Sequence, residues 1–407
     1  MRSSAQRLRV AVLAAFIAAG APFAGAPAWA LQGLAAQFAE TLDERARRQF
    51  EGVLAARAAF EKEADDYWRD VSDKRGARRT KKTAGQALGI EDYVTTFPPE
   101  YNGPKLTADL AKAWSEFQAK NAPEAPPPKS IATVPDAVAA AQAQYGFVPA
   151  RVSEREFKLR YAREALALGL TRDQVVRIYA LETGGIGTAD MQAGIHPIKK
   201  TGQPISTAIG YAQLLAANSL DETSRHGPTF IARLQVMAAR PDVDPARAQA
   251  LKAKLAALRR MVAYARSLPQ VWDQHVANAG TPKGLGIHAL NLDGDIGPWL
   301  QVVKLKGLKE LADKSGRTRL AGHEIELMNL AGPATGLEML GGVGRTVPTP
   351  NFFSRAAYGR NSVVRGKTSA ELLDALNQRM DENSKHAGAA EFAAVFDELA
   401  ASRRAAQ

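Results

Sequence analysis

Apolar residues recur at helical spacing along most of the chain, and the alternation expected of β-strands is scarce. Residues 31–73 carry this pattern and predict one long helix or two short ones. Thr171 and Gln174 form a capping box, which predicts a helix that begins after Thr171 and reaches Glu182. Further helices are predicted at 107–120, 151–168, 209–219, 230–239, 245–267, 299–314, 324–330, 369–380 and 389–401. The chain is therefore expected to be mainly α-helical.

Three stretches interrupt the helical pattern. Residues 74–82 are mostly lysine and arginine, and such a run predicts an exposed loop. Residues 122–128 read Ala-Pro-Glu-Ala-Pro-Pro-Pro, which predicts a stiff linker and a domain boundary near residue 130. Residues 291–297 begin like a calcium-binding loop but lack its glycine and its final glutamate, so they predict an Asx-type turn without calcium.

The first thirty residues have the form of a secretory signal peptide. Three arginines precede an apolar stretch, and Pro27-Ala28-Trp29-Ala30 offers a cleavage site after Ala30. An uncleaved anchor is the alternative, but proline and glycine interrupt the apolar run and it is short for a membrane span. We therefore expect a periplasmic or secreted protein with no stable membrane span.

Composition narrows the expected partners. The formal charge is +11, and the chain contains no cysteine, which excludes disulfides and a lipid-modified N-terminus. A basic chain often binds nucleic acid. An exported protein instead meets peptidoglycan, whose peptides carry carboxylates, so we expect no nucleic-acid partner. A charged surface that only keeps the protein in solution explains the positive charge equally well. The six histidines show no metal-ligand spacing, and neither a metal site nor a cofactor is expected.

Glu182 is the strongest candidate for chemistry. It falls in the last turn of its predicted helix and precedes Thr183-Gly184-Gly185. The negative end of the helix dipole disfavours a carboxylate there by about 0.3–1 kcal/mol, and burial among the apolar residues of the helix would add a larger penalty. Both effects raise a carboxyl pKa, as a general acid requires. The alternative is an ordinary solvated glutamate at a helix end.

Four segments resemble the lysozyme-like lytic transglycosylases. Residues 181–185, Leu-Glu-Thr-Gly-Gly, resemble the Glu-Ser-Gly-Gly motif that carries their catalytic acid. Residues 206–214, Ser-Thr-Ala-Ile-Gly-Tyr-Ala-Gln-Leu, resemble their Ser-x-x-x-Gly-Leu-Met-Gln-Leu stretch. Residues 329–333, Asn-Leu-Ala-Gly-Pro, are similar to their Tyr-Asn-Ala-Gly-Pro segment, and Tyr358 stands where the family often keeps a late tyrosine. The resemblance covers roughly 150–365.

The chain departs from the family pattern in three places. Tyr211 and Ala212 replace the usual Leu-Met pair, and the spacing between Glu182 and Gly210 is longer than is usual. The stretch 230–287 looks like an insertion.

The resemblance implies cleavage of the β-1,4 bond between N-acetylmuramic acid and N-acetylglucosamine, with formation of a 1,6-anhydro ring. Glu182 would act first as acid on the leaving oxygen and then as base on the C6 hydroxyl. The same resemblance suggests substrate-binding roles for Gln213, Ser206, Tyr211, Asn329 and Tyr358. The plainer alternatives are an outward-facing polar residue for Gln213, a helix cap for Ser206, and core packing for the two tyrosines.

The expected architecture is a lysozyme-like catalytic domain behind a helical N-terminal extension. The expected divisions are a signal peptide at 1–30, the extension at 31–121, a Pro-rich linker at 122–135, the transglycosylase domain at 136–380 and a C-terminal helical tail at 381–407. The basic run and an aromatic and proline-rich segment suggest that the extension docks on envelope machinery.

Two other functions stay open. A hydrolytic muramidase on the same fold would use water and a second carboxylate, for which Asp190, Asp293 and Asp295 are candidates. A non-catalytic peptidoglycan-binding or scaffold protein of the envelope would need neither.

Overall fold

The computed structural model describes residues 28–121 and 130–405. Residues 1–27 of the predicted signal peptide and 122–129 of the predicted linker lie outside the described residues. The described residues are mainly helical, and their only β-pairing consists of isolated bridges, which confirms the expected mainly α class. Among them, no helix is long and apolar enough to cross a membrane.

Sixteen α-helices follow one another along the described residues. They are α1 Ala28–Glu40, α2 Glu44–Thr83, α3 Ala108–Asn121, α4 Val134–Tyr145, α5 Glu154–Ala167, α6 Arg172–Thr183, α7 Ala216–Ala239, α8 Pro245–Ser267, α9 Trp272–Ala279, α10 Pro282–His288, α11 Ile296–Lys314, α12 Gly322–Ala331, α13 Pro333–Leu340, α14 Arg355–Arg360, α15 Ser369–Asn383 and α16 Ala387–Ala405.

The chain divides into two compact units. In the described residues, unit 1 comprises 131–337 and 373–405, and unit 2 comprises 28–121, 130 and 338–372. The helix α16, expected to form a separate tail, packs against α5 and α6 within unit 1. Residues 338–372, expected in the catalytic domain, group with the N-terminal extension.

One hydrophobic core of unit 1 lies around α7 and α8, which pack against each other. Leu220, Phe230, Leu258 and Met261 from these helices are buried together with residues of α4, α10 and α11. The stretch 230–287 that looked like an insertion therefore supplies part of this hydrophobic core.

Unit 2 contains the long helix α2, and here the sequence-based prediction for 74–82 was wrong. These residues continue α2 to Thr83 and do not form a loop. Arg78 is only 2% exposed, and its Nε donates to Oε1 of Glu338 at 2.8 Å. Arg75 donates to the main-chain oxygens of Pro350, Asn351 and Phe353. Acceptors far along the chain thus form hydrogen bonds with these arginines, which would be costly to bury without partners.

Two local predictions are confirmed. Thr171 caps α6 and forms the expected reciprocal capping box with Gln174. Asp293 makes the expected Asx-type turn, since its Oδ1 accepts from the main-chain N–H groups of Asp295 and Ile296 at 3.0 and 3.1 Å. The helix expected at 209–219 begins only at Ala216, because 209–214 form a tight turn closed by a bridge between Ile209 and Leu214.

Candidate functional site

The helix α6 carries Glu182 into the interior of unit 1 as its penultimate residue. Gly184 ends the helix in the left-handed conformation at φ 65°, and Gly185 follows at φ 70°. A Cβ on Gly185 would lie 2.1 Å from the main-chain oxygen of Asn383, so a side chain there would separate α6 from the end of α15. The glycine pair therefore stops the helix directly after the acid.

The helix α12 brings two polar side chains to Glu182. Asn329 donates through Nδ2 to Oε1 of Glu182 at 3.1 Å, and the same nitrogen lies 3.4 Å from both carboxyl oxygens of Glu326. Glu182 and Glu326 have no exposed surface, and Asn329 is 7% exposed. Because residues three apart share one helix face, Glu326 and Asn329 reach the acid together.

Burial and mutual repulsion favour a proton on this carboxyl pair. Burial raises the pKa of Glu182 well above its usual value, and the charge of Glu326 raises it further. Burial also raises the pKa of Glu326, to about 7, and the positive charge of Lys304 opposes that rise. The close approach of the two carboxyls favours a state in which the pair holds a proton and does not carry two charges. The pair therefore presents Glu182 as an acid beside a carboxylate.

One carboxyl oxygen of Glu182 accepts no hydrogen bond from the described residues. Its Oε1 accepts from Asn329, whereas no donor of the described residues reaches Oε2, although that atom is buried. A buried oxygen without a donor is costly as a carboxylate oxygen but well suited to carry a proton. Oε2 is thus the atom from which a proton could be transferred.

A cation and a third carboxyl complete the cluster. Lys304 on α11 and Glu222 on α7 are partly buried, and burial lowers the pKa of Lys304 while Glu182, Glu326 and Glu222 raise it. Burial raises the pKa of Glu222 to about 7, and neighbouring Asp221 adds to the rise. Lys304 makes no ion pair within 4.0 Å of any described carboxylate. Both side chains keep some exposed surface.

Gln213 sits in the tight turn that follows the long loop after Glu182. It adopts a left-handed φ of 42°, which is strained for a residue with a side chain, and Gly210 precedes it at φ 80°. Its Nε2 donates to the main-chain oxygen of Gly210 at 2.8 Å, while its buried Oε1 has no partner among the described residues. The amide nitrogen therefore holds the turn, and the carbonyl oxygen is left available.

Tyr211, in the same turn, is a core residue in this structure. It is 1% exposed, and its ring packs edge-on against Phe157 and Tyr179. Its hydroxyl donates to Oε2 of Glu154 at 2.6 Å. The ring has no free face to offer a sugar, so core packing accounts for this residue.

Ser206 and Tyr358 have local partners. Oγ of Ser206 accepts from the main-chain N–H of Ala208 at 3.1 Å and so stabilises the start of the turn. Tyr358 belongs to unit 2, where its hydroxyl accepts from Gly366 N–H at 2.8 Å and its ring packs against Trp68. Of the expected substrate-binding residues, Asn329 is the one that the structure joins to Glu182 by a hydrogen bond.

The three aspartates expected to serve a hydrolase are engaged in ion pairs. Asp190 pairs with Arg151 and Lys200 at 2.9 and 3.1 Å. Asp293 and Asp295 both contact the ammonium of Lys254, and Asp293 has no exposed surface. These contacts give each aspartate a structural role.

Sequence reasoning missed Glu326, Lys304 and Glu222. Glu326 had one available signal, its position three residues before Asn329 on the same face of a predicted helix. Lys304 and Glu222 lie on amphipathic helices, where a charged residue usually faces solvent. Within the described residues, no cluster of histidine and carboxylate side chains could hold a metal ion.

Comparison with protein-family models, with curated proteins and with solved structures found no match.

Proposed function

We propose that this protein is a periplasmic or secreted lytic transglycosylase with a lysozyme-like catalytic domain, in which Glu182 is the acid and base that cleaves peptidoglycan strands. The observation that supports this most directly is the state of Glu182. Its carboxyl is fully buried, hydrogen-bonded to Asn329, placed beside a second carboxylate and left with one oxygen that has no donor.

This environment suits proton donation to a glycosidic oxygen. An ordinary glutamate has lost its proton at neutral pH and cannot act as an acid. Burial and the neighbouring charge of Glu326 keep the proton on Glu182 well above its usual pKa. A positioned acid of this kind accelerates bond cleavage by about 10²–10⁴-fold.

The closeness of the two carboxyls favours the lytic reaction over hydrolysis. Glycosidases that use two carboxyls hold them about 5–5.5 Å apart for a covalent intermediate or about 6.5–9.5 Å apart to admit water. Glu182 and Glu326 instead face the same donor, because Nδ2 of Asn329 lies 3.1 Å from Oε1 of Glu182 and 3.4 Å from both carboxyl oxygens of Glu326. Two carboxyls that share one donor do not flank a sugar from opposite faces, so this arrangement does not suit attack by Glu326 on the opposite side.

A single acid and base is enough for the lytic reaction. The proton of Glu182 passes to the glycosidic oxygen as the bond from C1 of N-acetylmuramic acid breaks, and the substrate N-acetyl group stabilises the cation. The C6 hydroxyl of the same sugar then bonds to C1 and returns its proton to Glu182. No water is consumed, and the enzyme recovers its starting state.

A non-catalytic peptidoglycan-binding role is the second candidate. It is favoured by the absence of exposed surface on Glu182 and Glu326, because a glycan can reach the acid only after a neighbouring side chain moves. The partly exposed Lys304 and Glu222 are the side chains at which such an opening would begin.

The two candidates separate in one experiment with purified sacculi. The wild type is expected to release soluble muropeptides, and Glu182→Gln to bind sacculi but release them at least about 100-fold more slowly. Glu310→Gln, at a side chain that is 51% exposed on α11, is the matched control and should retain wild-type release. Full activity of Glu182→Gln would refute the proposal, and binding without release by the wild type would favour the non-catalytic role.

A further inference from the structure

The exposed face of α8 carries a row of positive charges. The α8 cations, Lys252, Arg259 and Arg266, lie seven residues apart, and all three are exposed. Seven residues make nearly two helical turns, so the three side chains lie on one face of the helix, about 10 Å from one to the next. The helix contains no aspartate or glutamate that could neutralise them.

The α8 cations have no partner within the part of the chain that the structure describes. None of the three side chains makes a hydrogen bond, or an ion pair within 4.0 Å, with another described residue. Arg155 and Arg225, exposed arginines elsewhere in unit 1, are instead paired with Glu398 at 2.9 Å and with Asp221 at 3.1 Å. The α8 cations therefore keep their hydrogen-bond donors free for a molecule outside the chain.

Small side chains and a further arginine surround the α8 cations. Ala256 and Ala263 lie between them along the exposed face, and no large apolar side chain of α8 is exposed. Arg260, which is also exposed, donates to the main-chain oxygen of Tyr145 and adds its positive charge to the surface. Because the side chains between the cations are short, an extended polymer lying along α8 can contact all three.

We propose that the α8 cations form a second binding surface for peptidoglycan, on which they bind the carboxylates of its peptides. The inference rests on the proposed function, which makes the sacculus the substrate of Glu182. Charge complementarity supports it, because guanidinium and ammonium groups form charge-assisted hydrogen bonds with carboxylates. A polymer that carries carboxylates at intervals can bind several cations at once, so that individually weak contacts add up.

An anionic membrane fits this surface less well. A helix that lies on a membrane inserts apolar side chains beside its cations. The large apolar residues of α8, among them Leu251, Leu258 and Met261, are instead buried in the hydrophobic core around α7 and α8. The exposed face is left with positive charge and small side chains, which favour a carboxylated polymer over a lipid surface.

The test is co-sedimentation of the full chain with purified sacculi at about 0.15 M salt, where charge effects beyond about 8 Å are screened. Every variant also carries Glu182→Gln, so that turnover does not alter the sacculi. Replacing all three α8 cations with glutamine should weaken binding by about 3- to 150-fold, because each exposed ion pair contributes about 1.4- to 5-fold.

The matched control removes the same net charge elsewhere on unit 1. Arg155→Gln, Arg172→Gln and Arg225→Gln together replace three exposed arginines that already have carboxylate partners in the chain. This control should weaken binding by less than about twofold, because screening confines the effect of these charges to their own neighbourhood. An equal loss of binding in the two triple variants would overturn the inference.

Two further ligands identify the group that is bound. Sacculi whose peptide carboxylates have been converted to amides should bind the protein without α8 substitutions as weakly as untreated sacculi bind the α8 triple variant. Equal binding of amidated and untreated sacculi would overturn the inference. If the α8 substitutions weaken binding only to phosphatidylglycerol vesicles, the surface serves a membrane and the inference is likewise wrong.

The outcome is separable from that of the proposed catalysis. Binding is measured without turnover, so a wild type that binds sacculi through α8 but releases no muropeptides would refute the proposed function alone. An active wild type whose binding does not depend on the α8 cations would refute only the role of this surface.

Discussion

Glu222→Gln is expected to stabilise the folded protein at alkaline pH and to have little effect in acid. Burial raises the pKa of Glu222 from 4.5 to about 7, so the folded chain binds this proton more tightly than the unfolded chain does. The favourable contribution is fully present below pH 4.5 and is lost as the pH rises through 7. The pKa of Glu222 rises by about 2.5 units, and each unit is worth 1.36 kcal/mol, so about 3 kcal/mol of folding stability is lost by pH 8.5.

A glutamine at position 222 does not ionise, so it causes no loss of stability as the pH rises. Relative to the wild type, Glu222→Gln should therefore gain about 3 kcal/mol more at pH 8.5 than at pH 4. The contact with His226 changes this little, because Nε2 of His226 lies 3.5 Å from Oε2 of Glu222 and burial lowers the pKa of that histidine, which leaves it neutral in the alkaline range.

The assay is urea unfolding at both pH values. Unfolding is monitored by pulsed hydrogen exchange in peptides from α7 and α11. This readout follows unit 1 separately from unit 2, whose unfolding need not coincide with it. Glu310→Gln again provides the exposed control, with the same small change in unfolding free energy at both pH values. An equal effect of Glu222→Gln at pH 4 and pH 8.5 would refute the view that this carboxyl is held in an unfavourable environment.

Two further substitutions test the carboxyl pair and the structural aspartates. Glu326→Gln removes the charge that raises the pKa of Glu182, so the alkaline limb of muropeptide release should move to lower pH; a limb that stays in place or moves up would contradict the coupling. Lys254→Met leaves the buried Asp293 without its cation, and urea unfolding at pH 7 should show a loss of about 3–5 kcal/mol. A loss below about 1 kcal/mol would mean that the main-chain donors to Asp293 are sufficient on their own.

Local sequence signals predicted the elements that depend on short-range chemistry. Thr171 and Gln174 specify the start of α6 because the cap and its return bond lie three residues apart. The glycines after Glu182 specify its end, and Asp293 specifies a turn through its own neighbours. In each case the partners are close in sequence, so the pattern alone was sufficient.

Elements stabilised by distant partners were not predictable in this way. The basic run at 74–82 reads as a loop until Glu338, more than 250 residues later, supplies a carboxylate for Arg78. The turn at 209–214 reads as a helix because the left-handed conformations of Gly210 and Gln213 leave no mark in the apolar pattern. The grouping of 338–372 with the N-terminal extension likewise depends on contacts between distant parts of the chain.

The candidate site shows the same division. Glu182 and Asn329 were identified from motif resemblance, whereas Glu326, Lys304 and Glu222 come from three other helices and are unremarkable in sequence. Their importance lies in charge and burial, which only the packing of α7, α11 and α12 reveals. The candidate acid could therefore be singled out from sequence, but the neighbours that raise its pKa could not.

The most direct measurement is the mass of the muropeptides that the protein releases from purified sacculi. Attack of the C6 hydroxyl on C1, with its proton passing to Glu182, predicts products one water lighter than reducing muropeptides, with 1,6-anhydro ends that are absent when Glu182 is replaced by glutamine. Reducing ends from the wild type would contradict the lytic reaction and would mean that water reaches C1 despite the closeness of Glu182 and Glu326.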